Sequence, residues 1–153
     1  MQLELFEKTE IWISPVRIAD VDLGLIAERF AAILNLKKKE IMVVDVREEL
    51  ITLDILKKSV RAEDIIGKKE ALLKALAEIP GVSLTPETGL HSDGILGLIA
   101  VEGEETAGEI LAGMEKMSRE ISEMISKRAI VFPSGFEVKR GMIQDANSPY
   151  IKD

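Results

Sequence analysis

Two rhythms of apolar residues run along this chain, one of period two and one of three to four. Between 10 and 18 (EIWISPVRI), Ile11, Ile13 and Val16 alternate with polar neighbours. That is the spacing of a half-buried strand, with Pro15 suited to an edge or a bulge. Asp20 stands as an N-cap with Asp22 in the first turn, and Leu23, Ile26, Ala27, Phe30, Ile33 and Leu34 follow on one helical stripe. Lys37, Lys38 and Lys39 sit where cations complement a helix C-terminus.

Residues 41–46 (IMVVDV) are nearly all apolar, which predicts a central strand buried on both faces. Residues 50–56 alternate Ile51, Leu53 and Ile55 with Thr52 and Asp54, a strand with one wet face. A second helix opens near Ser59, buries Ile65, Ile66, Leu72, Leu73, Leu76 and Ile79, and stops at Pro80-Gly81. Residues 82–84 begin a strand, 85–94 form a polar loop, and 95–101 (ILGLIAV) complete the strand. Thr106 with Glu109 spells a capping box for a long helix. Its stripe is Ala107, Ile110, Leu111, Met114, Met117, Ile121, Met124 and Ile125, and it ends near Lys127-Arg128 before a strand at 129–132.

The predicted order is β-α-β-β-α-β, then a long helix and a further strand. Its first six elements spell an α+β, ferredoxin-like arrangement: an antiparallel sheet with helices on one face. Residues 1–128 form that domain, and 129–153 begin something else.

Composition narrows the function. The 153 residues are 46% hydrophobic and 31% charged, a globular balance, with aromatics at 4%. The net charge of −7 argues against a nucleic-acid partner, whose phosphates need a basic face. With no cysteine there are no disulfides, thiolate nucleophiles or iron–sulfur ligands. No apolar run approaches the ~20 residues of a membrane span, and the expected compartment is the cytoplasm.

Candidate chemistry before residue 128 is thin. The lone histidine, His91, could pair with Asp93 as acid and base or hold a metal, but no second histidine supports a ligand set. A loop turn built by Ser92, Asp93 and Gly94 accounts for the same residues. Asp45, Arg47, Glu48 and Glu49 could bind a small polar ligand, and equally form a surface ion pair. Met114, Met117 and Met124 read as helix core. No P-loop, dinucleotide loop or nucleophile elbow occurs, so residues 1–128 alone give no enzyme.

The tail carries more. From 129 to 151 an apolar strand leads to a loop with Gly135 and Gly141, then to Asp145-Ala146-Asn147 at the start of a helix. Glycines there let the backbone turn tightly and a ligand approach. Asp145 and Asn147 can cap the helix, whose free N–H groups favour anionic ligands. A strand-loop-helix connection without a ligand would use the same residues.

In order, Gly135, Glu137, Val138, Gly141, Ile143, Asp145, Asn147 and the pair Tyr150-Ile151 resemble the opening strand, loop and helix of the molybdopterin-binding domain. That domain occurs in molybdenum-cofactor biosynthesis proteins and in the competence-damage-inducible protein A family. Phe136 and Ala146 depart from the family's usual polar residues. The resemblance implies that Gly135, Glu137, Gly141, Asp145 and Asn147 are cofactor-binding positions. It also implies a longer protein that takes molybdopterin or a related nucleotide, with this chain as an accessory part, cofactor-free and not catalytic alone. Two other readings stay open: a module that binds a small-molecule ligand, and a dimerisation domain that forms a homo-oligomer through the Met-rich helix.

Overall fold

The computed structural model describes residues 1–127 and Gly141. The chain divides into two compact units, Met1–Ala112 and Gly113–Asp153. The first is α+β and holds two antiparallel sheets.

Strands β1 (Gln2–Glu4), β2 (Glu10–Ile18), β3 (Ile41–Arg47), β4 (Leu50–Ile55), β5 (Ser59–Arg61) and β6 (Val82–Ser92) alternate with helices α1 (Leu23–Ile33), α2 (Ala62–Ile65) and α3 (Lys69–Ala77). Helix α4 (Glu104–Ser126) follows. The larger sheet has the order β3-β4-β2-β6 with every pairing antiparallel, and β1 pairs with β5 in a separate ribbon. Helix α1 packs against β3 and α3, and α3 against β6.

The core follows from alternation. Ile11, Ile13 and Val16 of β2, Ile51, Leu53 and Ile55 of β4, and Leu90 of β6 are all buried. Ile26, Ala27, Phe30 and Ala31 of α1, with Leu72 and Leu76 of α3, are buried as well. Residues two apart on a strand share a face, and residues three or four apart share a helical stripe. Burial of this branched aliphatic surface is the main favourable term in folding.

The two hairpin strands exchange the places expected for them. The nearly apolar β3 is an edge strand with Met42 and Val44 exposed, while β4, expected to have a wet face, lies inside the sheet. Thr52, the cross-strand neighbour of Trp12, is only 4% exposed. Pro15 also sits on an interior strand. There the β2–β6 register shifts between Ser14 and Val16, the irregularity that accommodates a residue with no N–H to donate.

Other corrections concern ends and breaks. Asp22, not Asp20, caps α1, accepting from the Gly24 N–H at 2.8 Å, and Asp20 takes a left-handed turn at φ 51°. The single helix expected from Ser59 is instead β5, a one-turn α2 and α3, broken at Gly67, whose φ of 71° cannot continue a helix. Strand β6 continues through the expected polar loop, with residues 85–88 looped out of its register with β2. The apolar run expected to finish it is a 3-10 helix, Gly94–Ala100, which buries Leu96 and Ile99. Thr106 lies inside α4, which begins at Glu104, so the expected capping box does not mark its start. The strand expected at 129–132 lies outside the described residues.

Candidate functional site

The face of the sheet away from the buried alternation carries the main cluster of polar and aromatic side chains. Alternation that buries Ile11 and Ile13 turns Trp12 to the other side, opposite Thr52 on β4 and His91 on β6. Trp12 stacks on His91 with ring centroids 5.6 Å apart and planes inclined by 21°. Asp93 Oδ1 lies 3.4 Å from His91 Nε2, and its Oδ2 lies 3.7 Å from the Lys8 ammonium. Glu7, Lys8, Thr9, Glu10, Trp12 and Asp93 enclose a hollow of about 100 Å³. One register step away, Asp54 lies between Met42 and Glu10 on the neighbouring strands, with a buried Oδ1 that has no protein donor.

This face has aromatic character but not the charge that binds phosphates. Glu10, Asp45, Asp54 and Asp93 lie on or beside it, against Lys8. Among the described residues, no group of three or more His, Asp, Glu or Cys is placed to hold a metal ion. His91 therefore stands in a strand against tryptophan, not in the expected turn. Trp12 escaped the sequence reading although its position in the alternation signalled it.

Two of the larger hollows among the described residues measure about 420 Å³ each. One lies at the start of α3, among Gly67, Lys68, Lys69, Val101, Glu102 and Gly103. Lys69 spends its charge there on Glu102, donating at 3.2 Å. The other lies between Arg17, Ile18, Arg47, Glu49 and Gly81. Its arginines are paired too: Arg47 with Asp45 at 2.6 Å and Arg17 with Glu49 at 3.5 Å, all on exposed side chains. Asp45 and Arg47 thus form the surface ion pair that was one of the two readings, a contact of little energetic worth.

Among the described residues, two ionisable groups are shifted from their ordinary values. A hydrogen bond from the Met1 ammonium, then one from its own backbone N–H, holds Glu63 down to about 2. A hydrogen bond to Glu28 at 2.8 Å raises the Lys38 ammonium. Neither adjoins the Trp12 face, and both act as local ties between elements.

Of the positions assigned to a cofactor, Gly135, Glu137, Asp145 and Asn147 lie outside the described residues. Gly141 has φ 68°, and no atom of the other described residues lies within 4 Å of where its Cβ would be. No helix among the described residues is long and apolar enough to cross a membrane. No family model, curated protein or solved structure matches this chain.

Proposed function

We propose that this chain is the accessory, N-terminal part of a cytoplasmic molybdopterin-binding protein related to molybdenum-cofactor biosynthesis. Residues 1–128 serve as a ferredoxin-like module, and residues 129–153 open the pterin-binding domain. The observation that carries this reading is the ordered match from Gly135 through Glu137, Gly141, Asp145 and Asn147 to Ile151. The strand order β3-β4-β2-β6, with α1 following β2 and α3 preceding β6, supports the ferredoxin-like assignment.

The left-handed backbone of Gly141 fits a turn that lets a ligand approach main chain. Asp145 and Asn147 would cap the following helix and leave its N–H groups to the anionic end of the pterin. The cofactor would supply the metal-binding dithiolene chemistry of the longer protein. The chain by itself is non-catalytic on this reading and does not bind nucleic acid.

Calorimetric titration with molybdopterin tests the assignment. Binding by the longer protein that carries the complete domain, lost in Asp145→Ala and Asn147→Ala, is the expected result. Equal binding by those variants would overturn the site, and adenylylation or pyrophosphatase turnover by this chain alone would overturn the accessory role.

A further inference from the structure

The stripe along α4 raises a separate question, independent of the pterin. Ala107, Ile110, Met114, Met117, Ile121 and Met124 recur in alternating steps of three and four. That is the heptad rhythm of a helix seated against another helix of the same period. Met117 is 61% exposed, Ile121 44%, Met124 53% and Ile125 66%. Helices α1 and α3 already bury their apolar faces through Ile26, Phe30, Leu72 and Leu76. The same rhythm on a second chain is a matching partner surface.

Charge indicates which way the partner runs. Glu120 and Lys127 lie one heptad apart on the same flank of the seam. With Glu123 and Met124 they line a hollow of about 340 Å³. In an antiparallel pair, residues on this flank meet their own counterparts. A register that sets Ile121 against Met124 of the second copy also sets Glu120 beside the second copy's Lys127, and the reverse at the other end. A parallel pair would set Glu120 beside the apolar Ile125 instead. Within the chain, Glu120 reaches Lys116 at 4.0 Å, the limit of an ion pair.

We infer that the C-terminal half of α4 binds a second copy of this chain as an antiparallel helix pair. Two short helical segments bury a small area, so the dimer dissociates in the micromolar range.

Sedimentation equilibrium of the full chain over a concentration series tests this. The expected result is a reversible monomer–dimer equilibrium, abolished by Ile121→Glu and unchanged by Arg119→Glu outside the seam. Circular dichroism confirms that the variants are folded. Glu120→Lys or Lys127→Glu alone should each weaken association by roughly tenfold, because two attractive pairs per dimer become repulsive. The double reversal should restore it. A wild-type chain that stays monomeric at every concentration overturns the inference, as it would if residues 128–153 covered the stripe. A dimer that survives Ile121→Glu overturns the surface, and one indifferent to both single reversals overturns the antiparallel register.

Discussion

Trp12 lies nearly parallel to His91 across the β2–β6 ladder, 5.6 Å between ring centroids, and its other cross-strand neighbour is the buried Thr52. One exposed imidazole and one indole therefore roof part of this face of the sheet. An aromatic pair in this geometry is worth roughly 0.5–1.5 kcal/mol beyond the area it buries. His91→Ala should lower unfolding free energy by about that amount, and His91→Phe should restore most of it. Urea unfolding followed by the emission of the lone tryptophan reads both. Identical midpoints for wild type and His91→Ala would show that the stack adds nothing.

Glycine substitutions should separate by backbone conformation. Gly81 has φ 87°, and a Cβ there would lie 2.2 Å from the Ala19 carbonyl oxygen, while its own carbonyl accepts from the Ala19 N–H at 2.9 Å. Gly81→Ala forces both a strained dihedral and a backbone clash, and should cost at least ~1–3 kcal/mol. Gly108 sits within α4 with nothing among the described residues inside 4 Å of its Cβ position. Gly108→Ala should instead stabilise the helix by about 0.5–1 kcal/mol. Thermal melting by circular dichroism compares the two, and shifts of the same sign would contradict this account.

The core prediction turns on Phe30, fully buried on α1 where that helix meets the sheet and α3. Phe30→Ala should destabilise the chain by about 3–5 kcal/mol, the lost transfer energy plus a cavity too confined to collapse. Ala32→Ser, on the exposed side of the same helix, should change stability by less than about 0.5 kcal/mol. Similar midpoints for these two variants in chemical denaturation would mean that α1 does not pack as described.

Strands β2 and β4 and helix α1 were legible in the sequence because each carries its own period: Ile11 and Ile13, Ile51 and Leu53, Ile26 and Phe30. What failed to show was set by distant partners. Ser59–Arg61 becomes a strand because Gln2–Glu4, far away in sequence, pairs with it. The apolar content of β3 suggested an interior place, yet Met42 and Val44 are exposed at the edge, and Thr52, paired with Trp12 on the next strand, is buried. The run at 95–101 has two rhythms at once, and the i, i+3 pair Leu96 and Ile99 decided for a 3-10 helix. For the candidate site, the tail motif was legible as spacing alone. The Trp12–His91 contact needed strand register, which one sequence does not carry.

Acid should loosen the ribbon of β1 and β5 at one point. The Met1 ammonium donates to Glu63, just after β5, and the Met1 carbonyl accepts from the Ala62 N–H at 2.8 Å. This carboxylate is held at about 2 against an ordinary 4.5. Above pH 4.5 it is ionised in folded and unfolded chain alike, and its contribution to stability is fully present. Between 4.5 and about 2 the unfolded chain takes up a proton that the folded chain refuses, so stability falls as pH falls. Below about 2 the contribution is gone. Glu63→Gln should therefore be less stable than wild type at neutral pH, and the gap should close across that window. Acetylating the amino terminus should have the same effect, and salt should shrink it because the pair is solvent-accessible. Denaturation midpoints for wild type and Glu63→Gln over a pH series decide it, and a gap that stays constant from neutral pH to pH 2 would rule the tie out.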